Sequence, residues 1–113
     1  MHEFSIAENI LDVIEQEIGS VTPVSAVHMT VGRLSGVCAD ALEFCFPEIA
    51  EQRGFGKPIL TIESPPADVH CRDCGADYGC EDFYEGCPHC ASLNREIRSG
   101  HECNLDWIQI EED

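Results

Sequence analysis

A chain of 113 residues with 6 basic and 22 acidic side chains has a formal charge of −16, and its size suits one domain with at most a small accessory lobe. That charge repels phosphate backbones and anionic membrane surfaces, so no nucleic acid partner is expected, and solubility accounts for most of the acidity. The first 20 residues lack a basic start and a small-residue cleavage site. No apolar run reaches the roughly 20 residues a bilayer span requires, so a soluble cytoplasmic protein without membrane insertion is expected.

From Phe4 to Ile18 the residues Ile6, Ala7, Ile10, Leu11, Ile14 and Ile18 recur at three- and four-residue steps and predict a helix. Ser5 with Glu8 reads as a capping box at its start, and Gly19 as its stop. Residues 24–32 alternate, with Val27, Met29 and Val31 on one side and Ala26, His28 and Thr30 on the other, as in a half-buried strand. Gly32 to Gly36 turn the chain. A second helix is predicted from Ala39 to Gln52, with Leu42, Cys45, Phe46 and Ile49 inward and Asp40 in its first turn. Pro47, which has no amide hydrogen to donate, predicts a kink or a break there. Ile59 to Glu63 read as a second strand ending before Pro65-Pro66. Cys103 to Ile110 read as a last strand, with a bulge where the alternation fails near Trp107. The expected fold is α+β: a small three-stranded sheet with two helices, carrying an inserted zinc-ribbon-like lobe. The expected division is 1–68 with 104–113 as an α/β domain and 69–103 as the lobe.

The lobe rests on its cysteines. In Cys71-Arg-Asp-Cys74-Gly and Cys87-Pro-His-Cys90 two residues separate the sulfurs of each pair, with 12 residues between the pairs. That spacing lets two tight turns close a tetrahedron on one metal, most simply structural Zn(II). Four thiolates leave no open coordination position, so the metal stabilises and performs no chemistry. A stretch from 71 to 90 so poor in aliphatic residues is not expected to build a core without it. An iron-loaded electron-transfer module is the alternative, because the two pairs also look like those of rubredoxin. A rubredoxin-like module needs only about half this length and leaves the helix-first layout unexplained. Cys38 and Cys45 read as small core residues and Cys103 as part of the last strand; Cys80 has no role assigned. His70 and His89 flank ligand positions, where they either support the ligands or simply lie exposed.

At the other end the chain opens Met1-His2-Glu3. An α-amine one residue before an imidazole, with one or two deprotonated backbone amides, offers nitrogen donors in a plane, a set that favours Ni(II) and Cu(II) over zinc. No nucleophile and base fall in a recognisable arrangement and no phosphate-binding loop occurs, so the chain is not expected to be an enzyme.

These features combine into a recognisable pattern. Met1-His2-Glu3 ahead of Ser5-Ile6-Ala7, the turn Val31-Gly32-Arg33-Leu34-Ser35-Gly36-Val37, Ala41-Leu42-Glu43-Phe44, the two cysteine pairs and the closing Ile108-Gln109-Ile110-Glu111 resemble, in order and over the whole chain, the HypA family. These are nickel-insertion accessory proteins of [NiFe]-hydrogenase maturation. The resemblance implies a nickel metallochaperone that holds Ni(II) at its amino terminus and passes it to the hydrogenase large subunit with the help of the HypB GTPase. It implies His2 as the main nickel ligand, with the amine of Met1 and the backbone at Glu3 completing the plane. Asp40 matches an acidic position near the start of the second helix, close to the nickel in some relatives. The zinc ligands map onto Cys71, Cys74, Cys87 and Cys90. Two departures stand out: Ala91, where glycine or histidine is more familiar, and the additional Cys80. Monomer and homodimer both remain open.

Overall fold

The computed structural model describes residues 3–111. In chain order the elements are α1 (Glu3–Ile18), β1 (Val24–Val31), α2 (Ala39–Gln52), β2 (Ile59–Glu63), β3 (Ala67–Cys71), β4 (Asp77–Cys80), β5 (Arg95–Ile97) and β6 (Cys103–Ile110). They form two three-stranded sheets, ordered β2-β1-β6 and β4-β3-β5. Among the described residues no helix is long and apolar enough to cross a membrane.

The first sheet grows from a β1-α2-β2 unit, in which a helical crossover makes β1 and β2 parallel. β6 returns from the lobe and pairs antiparallel on the other side of β1. Val24, Val27, Met29 and Val31 on β1 meet Ile6, Ala7, Ile10, Leu11 and Ile14 of α1 and Leu42, Phe46, Ile49 and Ala50 of α2 in one core. Arg53 locks the two helices together by donating to Asp12 at 2.8 Å, to the Glu8 carbonyl at 3.0 Å and to the Glu8 carboxylate at 3.1 Å.

Three local expectations are corrected. Helix α1 already includes Glu3, so Ser5 and Glu8 lie inside it and form no capping box. Pro47 does not break α2, which runs unbroken from Ala39 to Gln52. An interior proline costs about 3 kcal/mol. Leu42, Phe46 and Ile49 are buried on both sides of it, each contributing roughly 1.5–3 kcal/mol, so packing outweighs the missing bond. Cys38 is an exposed residue just ahead of α2 rather than a core residue, whereas Cys45 is half-buried against the core.

The bulge expected near Trp107 is present. His28 opposes Trp107 and Met29 opposes Leu105, which leaves Asp106 as the extra residue of β6. Its carboxylate accepts from the Thr30 hydroxyl at 2.7 Å and lies 3.0 Å from Nδ1 of His28.

The second sheet contains strands that periodicity did not show. Leu34, Ala67, Val69 and Cys80 form a small core, with Tyr78 and Ile97 packed against it. The expectation that 71–90 builds no core alone is therefore refined. Most of this cluster comes from residues outside that stretch, and Leu34 arrives from the β1–α2 turn. The turn is tied to the lobe's return path by bonds from the Gly32 amide to the Glu102 carbonyl (2.8 Å) and from the Leu34 amide to the Gly100 carbonyl (2.9 Å). Gly32 is obligatory here, because a Cβ on it would sit 2.2 Å from the Gly100 oxygen.

Candidate metal centre

Two turns of matching design hold the four cysteines. In the first, the Cys71 amide donates to the Ala76 carbonyl (2.8 Å) and the Gly75 amide to the Cys71 carbonyl (2.9 Å). In the second, the Cys87 amide donates to the Ser92 carbonyl (3.0 Å) and the Ala91 amide to the Cys87 carbonyl (2.7 Å). Each turn closes through a left-handed residue, Gly75 at φ 78° and Ala91 at φ 63°. Ala91 is the sole non-glycine residue with positive φ among the described residues. The departure noted in the sequence therefore falls on a position where the backbone asks for glycine.

The turns face each other. Sγ of Cys71 lies 3.5 Å from Sγ of Cys90, Sγ of Cys74 lies 3.6 Å from Sγ of Cys87, and all four sulfurs fall within 4.8 Å of one another. A disulfide requires about 2.05 Å, so none is formed. Sulfurs at about 2.3 Å from a central zinc would stand about 3.8 Å apart at the corners of a tetrahedron, and the observed spacings match. Cys71 and Cys87 are buried while Cys74 and Cys90 are exposed. A metal held here would have one side toward the lobe and one toward solvent.

Backbone amides prepare the sulfurs for charge. The Cys71 thiol is lowered to about 7, chiefly by the hydrogen bond from the Cys74 amide, with desolvation opposing and the Asp73 amide assisting. Cys90 is pushed up to about 12: the Ser92 amide pulls it down, but the neighbouring Cys71 sulfur, desolvation, and Cys74 and Cys87 outweigh it. Four thiolates cannot coexist at this spacing without a cation between them. The chemistry of the donor set thus fits a divalent, thiophilic metal. Such a metal would act structurally, by fixing the two turns to each other.

Residues around the turns brace them. The Asp73 carboxylate accepts from the Ser92 hydroxyl and from the Asn94 side chain at 3.0 Å, joining the first turn to the exit of the second. Those two bonds, Ser92 first, hold its carboxyl below the usual range. Arg95 reaches back to the Phe83 carbonyl at 2.7 Å and to the Glu85 carbonyl, pinning the loop between the pairs. Sequence reasoning did not find either brace, since the partners lie 10 to 21 positions apart. Cys80 now has a role. It is buried in the small core, its sulfur donates to the Asp82 carbonyl at 2.9 Å, and it is not among the four clustered sulfurs. His70 pairs with Asp77 across β3 and β4 at 2.7 Å, and His89 lies exposed in the second turn.

Of the amino-terminal set, Met1 and His2 lie outside the described residues. Glu3 is described, and its Oε2 receives the Cys38 amide at 3.5 Å. That contact brings the start of α1 to the start of α2, where Asp40 is exposed in the first turn.

A family model described as "Hydrogenase/urease nickel incorporation, metallochaperone, hypA" matches residues 1–110. A hydrogenase maturation factor HypA of Geotalea uraniireducens is 34% identical over 111 residues, covering 98% of this chain and 100% of that one. Another, of Chlorobium luteolum, is 35% identical over 116 residues, covering 100% of this chain and 98% of that one. The solution structure of the Ni metallochaperone HypA from Helicobacter pylori shares the fold, with a TM-score of 0.62 at 21% identity over the full length of both chains. The fold is thus a known one, and this chain belongs to the HypA family of hydrogenase and urease nickel-incorporation metallochaperones, not to a family of enzymes.

Proposed function

We propose that the chain binds Ni(II) through Met1, His2 and Glu3, with Asp40 beside them, and delivers it during [NiFe]-hydrogenase maturation, while Zn(II) on Cys71, Cys74, Cys87 and Cys90 holds the lobe together. The work divides between residues 1–68 with 104–113, which handle the cargo, and residues 69–103, which hold the structural metal. The observation that carries the nickel assignment is the contact of Glu3 with the amide of Cys38. It brings the start of α1 beside the start of α2, where Asp40 supplies a second carboxylate. An acidic surround of this kind attracts a divalent cation.

The nitrogen donors of a chain terminus form a planar set that suits Ni(II). A terminus makes few rigid contacts, so a recipient with better donors can take the ion by ligand exchange, a fast release that a buried cage would prevent. The HypB GTPase and the hydrogenase large subunit are the proposed partners, in the cytoplasm. The net charge of −16 favours docking against basic faces.

Metal analysis and nickel titration of untagged protein beside a His2→Ala variant test the reading. The expected result is one zinc per chain in both and nickel uptake in the wild type alone. Equal nickel affinity in the variant, or in a form with extra residues ahead of Met1, would falsify the terminal site. Iron in place of zinc, with a red colour that bleaches on reduction, would instead favour the electron-transfer reading.

A further inference from the structure

The main sheet buries one face against α1 and α2 through Val27, Met29 and Val31, so the alternate residues His28 and Thr30 of β1 look out on the opposite face. There the ring of His28 is held in place. Nδ1 lies 3.0 Å from Oδ2 of Asp106, the bulged residue of β6, and the same oxygen accepts from the Thr30 hydroxyl at 2.7 Å. The imidazole also stacks on Trp107, with ring centroids 5.3 Å apart and planes within 8° of parallel. A carboxylate only accepts, so Nδ1 carries the hydrogen and Nε2 is the nitrogen left for another partner. Nε2 faces Oε1 of Glu63 on β2 at 3.5 Å, beyond the roughly 2.7–3.2 Å of a hydrogen bond. Among the described residues His28 is the sole ion-pair partner of Glu63 and of Asp106.

A histidine fixed through one nitrogen by a carboxylate, with the other nitrogen facing a second donor, has the arrangement of a metal ligand, because the outer carboxylate sets the tautomer and raises the basicity of the free nitrogen. The spacing agrees. An ion about 2.1 Å from both Nε2 and Oε1 would see donors 3.5 Å apart at an angle of about 113°, close to tetrahedral. The His28 side chain is 16% exposed and restrained, whereas that of Glu63 is 71% exposed and free to close on an ion. Two carboxylates beside one imidazole leave negative charge that a divalent cation offsets. We propose that His28 and Glu63 form a second site for a divalent first-row metal ion, with Asp106 as a positioning residue and water at the remaining positions. One imidazole nitrogen and one carboxylate oxygen suit Ni(II), Cu(II) or Zn(II), and in a nickel-incorporation family the ion to test is Ni(II). Two protein donors hold an ion weakly, so the site loads and empties readily and fills only at free nickel above the level at which the terminal set is tested. It lies on the sheet face away from both helices and uses no proposed terminal ligand, so it does not depend on that assignment.

The probe is Ni(II) alone, titrated into zinc-loaded protein carrying His2→Ala, which takes the terminal site out of play, while the fluorescence of Trp107, the single tryptophan, is followed. An open-shell ion on an imidazole stacked against the indole quenches it, so the expected result is saturable quenching with zinc retained. In the same background Glu63→Gln, His28→Gln and Asp106→Asn are each expected to raise the midpoint about tenfold or more. Glu96→Gln, which removes the same charge from the lobe, is expected to leave it unchanged. Nitrogen NMR of the metal-free protein in alkaline buffer is expected to show neutral His28 protonated on Nδ1, and Asp106→Asn to shift it toward the other tautomer, which a merely structural role would not do. Absence of saturable quenching, which would leave a plain ion pair, an unchanged midpoint in Glu63→Gln or His28→Gln, an equal loss in Glu96→Gln, or neutral His28 protonated on Nε2 in the wild type would each overturn the proposal.

Discussion

Gly75 and Ala91 occupy the same position in two matching turns, four residues after Cys71 and four after Cys87, and each donates its amide back to that cysteine's carbonyl. Both are left-handed, at φ 78° and 63°, a region that costs a residue with a Cβ about 1–2 kcal/mol. Ala91→Gly is therefore expected to stabilise the lobe by about 1 kcal/mol. Gly75→Ala, whose new Cβ meets no atom within 4 Å, should cost a similar amount through backbone strain alone. Denaturant unfolding of the zinc-loaded protein, followed by amide exchange in β3 and β4, measures both.

Leu34 is a residue of the β1–α2 turn that is 1% exposed within the core of the lobe. Leu34→Ala is expected to destabilise the lobe by about 2–5 kcal/mol, from lost burial and a residual cavity. Zinc loss to a chelator should be faster in this variant. A main-sheet stability that fell as far as that of the lobe would show that the two cores unfold as one unit.

Removing the metal should release the lobe first. With the sulfurs protonated, the turns are joined by Asp73, Ser92 and Asn94 and by the Arg95 bonds, while the small core offers only a few buried residues. Metal chelation is expected to abolish amide protection in β3, β4 and β5 and to preserve it in β1 and α1. Protection that survives chelation in β3 would show that the small core suffices.

The pH dependence of the metal centre follows from its thiols. In the metal-free protein Cys71 titrates at about 7 and Cys90 at about 12, and Cys74 is raised, so at neutral pH only part of the set is ionised. Binding must expel the remaining protons, so affinity rises with pH and is lost as pH falls through 7. Competition with a zinc indicator between pH 5.5 and 8.5 should show a slope steeper than one proton per unit. Asp77 behaves in the usual carboxylate sense. Its hydrogen bond from His70, with Arg98 nearby, holds its carboxyl below the usual range. That contribution is present above about pH 4 and disappears as pH falls toward the lowered value.

Nickel should also leave in acid. At the proposed terminal site, ligation by His2 would need a neutral imidazole, with an ordinary value near 6.5, and the Met1 amine, near 7.7–8.0, would have to lose its proton. Nickel affinity is expected to fall more than tenfold between pH 8 and pH 6, measured by calorimetric titration. A flat profile would point to carboxylate ligands such as Glu3 and Asp40 in place of nitrogen.

Much of this protein was determined by local pattern. The three- and four-residue spacing of Ile6, Ile10, Leu11 and Ile14, the alternation of Val27, Met29 and Val31, and the paired cysteines express periods and turn lengths that belong to the chain itself. They were enough for both helices, the three strands of the main sheet and the four cysteines that cluster. Where α1 begins was less legible, because a capping pattern such as Ser5-Glu8 occurs inside helices as well as at their ends. Tertiary structure decided what depends on residues distant in sequence. It carried α2 through Pro47 because buried side chains on both sides outweigh one missing bond. It took Cys38 out of the core and put Cys80 into one, and it lodged Leu34 in the lobe. It also set Ala91 opposite Gly75, a backbone demand that appears only when both turns close on one centre, since a dihedral is imposed by the contacts around it and not by the side chain that accepts it.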